Sequence, residues 1–136
     1  MYQIYFYRDR DGKEPVRDFI RELETRTDKA SRVTSGQIKQ YLDYLRALGT
    51  RAEPKIVKHL DGEIWELRPG RYRVLFAAWY QGNFLILHTF LKRTQKTPPR
   101  EIAQAKRELA DIKGRLKVWS GIFPLSGIAG KKCAWN

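Results

Sequence analysis

Cysteine and histidine are nearly missing from this chain. One cysteine, Cys133, and two histidines, His59 and His88, are spread over 136 residues. A lone cysteine closes no internal disulfide, which suits a reducing cytoplasm. With no base beside it in sequence, Cys133 reads as incidental. The histidines have no second ligand pair at the spacings that hold zinc, so no metal and no cofactor are predicted. No run of about 18 apolar residues occurs, which predicts no membrane span. The first residues, MYQIYFYRDRDG, pass from apolar to charged. That is the reverse of an export signal, so a cytoplasmic protein is predicted. Acidic residues are scarce relative to basic ones, 15 against 27, and the formal net charge is +12. Such a charge favours a polyanionic partner, either nucleic acid or a strongly acidic protein, although many basic surfaces are only solvated.

What remains suffices for one ordinary domain. A chain of this length buries roughly two thirds of the surface that its unfolded form exposes, enough for a core without staples. The 42% apolar and 12% aromatic content argues against disorder. No internal repeat or low-complexity tract appears.

Hydrophobic spacing places the elements. Tyr2 to Arg8 alternates and reads as a strand, and Asp9-Arg10-Asp11-Gly12 as a turn. Pro15 suits a first helical turn, and Val16, Phe19, Ile20 and Leu23 form one helical stripe ending near Thr25. A second helix starts near Asp28, capped by Thr27 or Asp28, and carries Ile38, Tyr41, Leu42, Leu45 and Leu48 to a stop at Gly49. Thr50 to Lys58 reads as a polar loop. Three strands follow, Glu63 to Arg68, Arg71 to Tyr80 and Asn83 to Leu91, with turns at Pro69-Gly70 and Gln81-Gly82-Asn83. Thr97-Pro98-Pro99 opens a third helix with Ile102, Ala105, Leu109, Ile112 and Leu116 on its stripe. The predicted class is α+β, a small sandwich of strand, helix, helix, three-strand antiparallel meander and helix. Residues 1–116 form the domain and 117–136 a loosely ordered tail without hydrophobic period.

Side chains alternate faces along a strand, so parity sorts the meander. One face gathers Trp65, Leu67, Val74, Phe76, Leu85 and Leu87 and is predicted to lie against the helices. The other gathers Glu66, Arg68, Arg73, His88, Lys92, Phe90 and Ile86, flanked by Arg93, Lys96, Lys55 and Lys58. A solvated outer face of a half-exposed sheet is the plain reading of the second set. Against it stands the mixture, because a face built for solubility intersperses both signs. This one holds cations with a single carboxylate, one histidine and an aromatic ring, the parts needed to bind RNA phosphate, stack a base and move a proton.

Three stretches carry a resemblance. They are Glu66-Leu67-Arg68, Tyr72-Arg73, and Leu87-His88-Thr89-Phe90-Leu91-Lys92-Arg93-Thr94-Gln95-Lys96-Thr97-Pro98. An E-L-R ending one strand, a Tyr-Arg opening the next and an L-H-x-F-x-K-K/R-T-x-K-x-P run into the last helix resemble the phage-type HigB branch of the RelE/ParE toxin superfamily. The helix with Glu101, Ala105 and Arg107 is similar too, and element order agrees from about residue 2 to 116; the tail has no counterpart. The resemblance implies a RelE-like fold with a four-stranded sheet. It also implies a toxin neutralised by a cognate antitoxin, often a helix-turn-helix protein, and cleavage of mRNA in the ribosomal A site. Arg68, Arg73, Lys92 and Arg93 match the family's basic site positions. His88 lies in the matching strand, Glu66 in the E-L-R, and Lys96 is a weaker match.

Without a metal, RNA cleavage would use the substrate's own 2′-hydroxyl. Arg68 and Arg73 are then expected to grip the phosphate through the guanidinium fork, with Lys92 holding phosphate or backbone. His88 is expected to transfer a proton, and Glu66 either acts as base or orients Arg68. Arg93, Lys96, Lys58, Lys55 and Arg71 are expected to bind RNA backbone, and Phe90 either stacks a base or packs. The predicted partners are mRNA, ribosomal RNA and the antitoxin. Two other functions stay open: a ParE-like inhibitor of DNA gyrase without catalysis, and a phage-derived binding module without toxicity. The basic last helix, with Lys106, Arg107, Lys113 and Arg115, reads equally as an RNA or antitoxin contact and as a solvated face.

Overall fold

In a computed structural model of the chain, residues 2–119 are described. The elements are β1 (Ile4–Phe6), α1 (Pro15–Thr25), α2 (Lys29–Leu48), β2 (Val57–Asp61), β3 (Ile64–Leu67), β4 (Tyr72–Ala78), β5 (Phe84–Leu91) and α3 (Pro99–Trp119). Single 3-10 turns cover Gly49–Arg51 and Tyr80–Gly82.

Local chemistry explains the helix ends. Pro15 sits in the first turn of α1, which buries Val16, Ile20 and Leu23. The Asp28 carboxylate caps α2 by accepting from the Ser31 amide at 2.9 Å. Gly36 lies within α2 with open space around its Cα. Gly49 ends the helix at a φ of +62°, where a Cβ would also stand 2.8 Å from the Tyr2 ring, so two constraints demand glycine.

The five strands lie in the order β1-β5-β4-β3-β2. β1 pairs parallel with β5, and the other neighbours are antiparallel. The α+β class therefore holds, but the sheet has five strands rather than four. The extra one is β2, which begins at the end of the stretch expected to be a polar loop. Three of its five residues are exposed, because it is an edge strand whose outer positions carry no apolar signal. α3 runs to Trp119, past the domain boundary expected at residue 116; the proposed loose tail lies outside the described residues beyond that point.

Both faces of the sheet are covered. α1 and α2 pack on Ile4, Phe6, Val57, Leu67, Val74, Phe76, Phe84 and Ile86. α3 packs through Ala105, Leu109, Ile112 and Leu116 on Ile64, Leu75, Ala77, Leu85 and Leu87. The expectation of a half-open sheet is thus corrected: the second face is a second core for much of its length.

A register shift explains which side chains changed sides. Leu75 pairs with His88 and Phe76 with Ile86, so Leu87 is an extra residue in β5. Such a bulge resets the alternation beyond it. Leu85 and Leu87 lie on the α3 face, not beside Phe76, and Ile86 lies on the α1–α2 face, not beside His88. Beyond the bulge the sorting of His88, Phe90 and Lys92 agrees with the sequence parity.

Candidate functional site

α3 begins at Pro99 and crosses the sheet away from the β3–β4 turn, so the last rows of its face stay uncovered. These rows carry the charges. Lys58 of β2 stands directly across from Glu66 of β3, Glu66 across from Leu75, and Leu75 across from His88. One row further, Arg73 faces Phe90. In the outermost row the Lys92 amide donates to the Arg71 carbonyl at 2.9 Å.

Glu66 is the hub, with 1% of its surface exposed. Its two oxygens lie 3.6 Å from Arg68 Nε and 3.8 Å from Arg73 Nε. The Thr97 hydroxyl, arriving from the segment before α3, donates to Glu66 Oε1. A carboxylate so buried is stable only where cations and donors replace its water, and this set does so.

The two arginines are anchored by main-chain oxygens. Arg73 Nη1 donates to the carbonyls of Gly70 at 2.9 Å and Tyr72 at 2.7 Å. Arg68 Nη1 donates to Pro54 at 3.3 Å. Gly70 has a φ of +58°, and a Cβ there would meet the Gln37 side chain at 2.6 Å. The glycine thus permits the turn whose carbonyl holds Arg73. Arg73 Nε is buried without a hydrogen bond, and Nη2 has no partner among the described residues, which leaves it for a ligand.

Electrostatics follow from this crowding. Burial, and then the neighbouring Arg73, push the Lys92 ammonium below the ordinary lysine value, with Arg68 and Lys58 adding to the effect. Burial likewise lowers Arg73, while Glu66 opposes the shift. The fork nevertheless stays charged at any working pH. Beside the cluster opens a cleft of about 420 Å3 lined by Gly70, Arg71, Arg73, Lys92, Arg93, Thr94 and Gln95. Its wall is cationic and polar, with room for a phosphodiester.

His88 stands apart from that cleft. Its Nε2 lies 2.8 Å from Glu101 Oε1 of α3, and its ring stacks on Phe90 at 5.8 Å. Both rings line a second groove, of about 360 Å3, with Pro15, Val16, Phe19, Tyr72, Thr89 and Leu91. Phe90 therefore separates His88 from Lys92 along β5.

Of the residues singled out from the sequence, Glu66, Arg68, Arg73, Lys92 and Lys58 come together. Arg71 and Arg93 line the cleft, and Lys96 is exposed in the segment that follows. Lys55 does not join them: its ammonium is mostly solvated and lies 3.3 Å from Glu53. Sequence reasoning missed Thr97 and Glu101 as site residues. Nothing in a lone hydroxyl before a proline marked the first; the i, i+13 relation of His88 to Glu101 exists only once α3 has folded back. Among the described residues no three His, Cys, Asp or Glu side chains converge as a metal site, and no helix is long and apolar enough to cross a membrane.

Residues 18–110 match the family described as phage-derived protein Gp49-like (DUF891). The chain belongs to this family. The matched span opens within α1, runs through the whole Glu66–Arg73–Lys92 cluster and closes within α3, so the Gp49-like region contains the candidate site. A search of curated proteins finds no match.

Proposed function

We propose that this Gp49-like chain is the toxin of a toxin–antitoxin pair, of the HigB-like RelE type, and a metal-independent endoribonuclease that cuts mRNA in the ribosomal A site. One observation carries the reading. Arg68 and Arg73 pair with a single buried carboxylate, Glu66, with Lys58 across from it in the sheet and Lys92 within its electrostatic reach, beside an open cleft. The likeness of the E-L-R, Tyr-Arg and L-H-x-F-x-K motifs to HigB toxins, and membership of a phage-derived family, point the same way. The partners that follow are mRNA, ribosomal RNA and an antitoxin, with a helix-turn-helix protein as the expected form.

The chemistry asks for little covalent work. The 2′-oxygen attacks the adjacent phosphorus in line, the bond from phosphorus to the 5′-oxygen breaks, and a 2′,3′-cyclic phosphate remains. The 2′-proton passes to a base, and the departing 5′-oxygen takes one up. Arg73 and Arg68 hold the phosphoryl oxygens and neutralise the charge that grows on them. Lys92, partly buried beside them, adds a further cation. Glu101 accepts the Nε2 proton of His88, which leaves Nδ1 as the basic atom, and Phe90 supports the sugar or base between the two groups. Glu66 is too enclosed to meet substrate; it positions Arg68 and Arg73.

Brief induction followed by mapping of mRNA 5′ ends tests this. New ends within translated codons, lost in Arg73→Ala, are expected. Inhibition of gyrase supercoiling without new RNA ends would replace the ribonuclease by a gyrase poison. Growth without arrest would leave a binding module.

A further inference from the structure

The free half of β5 is an unfilled place in the sheet. β1 pairs with β5 only at Phe84, Leu85 and Ile86, and the last bond on that side runs from the Tyr7 amide to the Ile86 carbonyl at 2.8 Å. From there β1 leaves the sheet, while β5 continues to Leu91. On its other side β5 remains paired with β4 through Tyr72–Leu91. The Lys92 to Arg71 bond marks which residues face β4: Lys92 and, two residues back, Phe90. The bulge at Leu87 sets this phase, and it turns the amides and carbonyls of Thr89 and Leu91 toward the open edge. No described residue bonds to them.

Open edges are usually blunted by proline, charge or a covering loop. Here the edge instead lies over the groove formed by Pro15, Val16 and Phe19 of α1 with Tyr72, Phe90 and Leu91. Leu91 is 37% exposed. A row of free main-chain groups beside an apolar trough is what an added strand needs, since the ladder gives affinity and the trough takes alternate side chains.

Charge selects the occupant. The Glu14 and Glu101 carboxylates near the trough already have partners: Glu14 pairs with Arg17 at 3.0 Å, and Glu101 accepts from His88 and lies 4.0 Å from Arg100. The strand then runs out into Lys92 and Arg93, in a chain of net charge +12. A second copy would bring the same surplus to the edge and be repelled. We infer that β5 is completed by an extended segment of a partner protein, apolar at every second residue and acidic where it passes Lys92 and Arg93. The inference stands whether or not the chain cleaves RNA.

The probe is a synthetic nine-residue peptide alternating isoleucine with glutamate, beside the same peptide N-methylated on its edge-facing amides. Amide hydrogen exchange of the full chain is followed residue by residue. Slowing of exchange at Thr89 and Leu91 by the first peptide and not by the second is expected. Leu91→Pro removes an outward amide that the β4 ladder does not use, and weakens binding by roughly tenfold. Unchanged β4 amide protection checks that this variant is folded. Four results would overturn the inference. They are no slowing at Thr89 and Leu91, equal slowing by the N-methylated peptide, slowing by an oligouridine instead of the peptide, or slowing that rises with protein concentration alone, which would assign the edge to a second copy.

Discussion

The α1–α2 face and the α3 face of the sheet both carry apolar residues along β3, β4 and β5, yet the first is covered far more completely, open only at the groove beside Tyr72 and Leu91. Two helices of 11 and 20 residues span it, and the sheet residues beneath them, Ile4, Phe6, Val57, Leu67, Val74, Phe76, Phe84 and Ile86, are apolar. The second face has a single helix, which reaches the sheet beside His88 and then crosses away from the β3–β4 turn. Where it covers the sheet the residues are Leu75, Ala77, Leu85 and Leu87. Where it does not, they are Arg68, Arg73 and Lys92. The difference shows how a small domain obtains desolvated but reachable charge: a core on one side supplies rigidity, and an incomplete cover on the other supplies a half-dry edge.

The largest effect should come from breaking the better-covered face. Phe76 is fully buried and meets Phe84 edge-on at 5.5 Å, so Phe76→Ala removes a ring from a place that cannot collapse around the gap. A loss of about 4 kcal/mol is expected, read as a lower urea midpoint at unchanged slope. On the incomplete face the order of effects reverses. Arg73→Ala should cut single-turnover RNA cleavage by roughly 100- to 1000-fold, with a smaller shift of the urea midpoint than Phe76→Ala gives, because Arg68 and Thr97 still compensate Glu66. Were the two variants to lose stability alike while cleavage followed stability, the two faces would be doing one job, and the contrast would fail.

The helix that covers the second face has its own titrating group. Glu108 of α3 is 7% exposed, and its Oε1 is buried without a partner. Burial, resisted by the Gln104 hydrogen bond and Arg107 and aided by Asp111 and Asp9, raises its pKa from 4.5 to about 7. The folded protein thus favours the protonated acid. The stability that this contributes is complete below the ordinary value of 4.5 and is lost as pH climbs through about 7. Glu108→Gln, which keeps the shape without the charge, should therefore stabilise the fold by about 2 kcal/mol at about pH 8. No gain is expected at about pH 4. A gain that did not change with pH would trace the effect to packing instead.

The same contrast explains what was legible in the amino-acid order. α1, α2 and α3 were readable because their stripes bury against one sheet face each, and Asp28, Gly49 and Pro99 mark their ends. The cation cluster was readable because Arg68, Arg73, Phe90 and Lys92 all lie beyond the bulge or on strands without one. Leu85 and Ile86 went to the wrong faces because an extra residue at Leu87 is invisible to a period of two. β2 was hidden because its Lys58 and His59 are solvated, and pairing with Glu66 and Trp65 is long-range information. Covering of the second face was hidden for a related reason. Nothing local in Pro99–Trp119 says across which sheet it folds, and the salt bridge of Lys113 to Glu63 at 2.7 Å joins residues 50 apart.

Lys96 gives the smallest and most diagnostic effect. It lies in the exposed stretch between β5 and α3, where its carbonyl accepts from the Thr94 hydroxyl at 2.6 Å. Its ammonium has no fixed partner among the described residues. A solvated cation of this kind acts on RNA only within a Debye length of about 8 Å, through the counterions that its phosphate contact releases. Lys96→Ala should reduce the slope of log affinity against log salt by about 0.7 for single-stranded RNA, with the cleavage rate at saturating RNA unchanged. Arg73→Ala should do the opposite, lowering the saturated rate more than the slope, since in the proposed reaction its fork would act on charge present only as the phosphodiester reacts. If Lys96→Ala lowered the saturated rate as far as Arg73→Ala, the half-dry edge would have to extend into the linker, and the division between gripping and chemistry would have to be redrawn there.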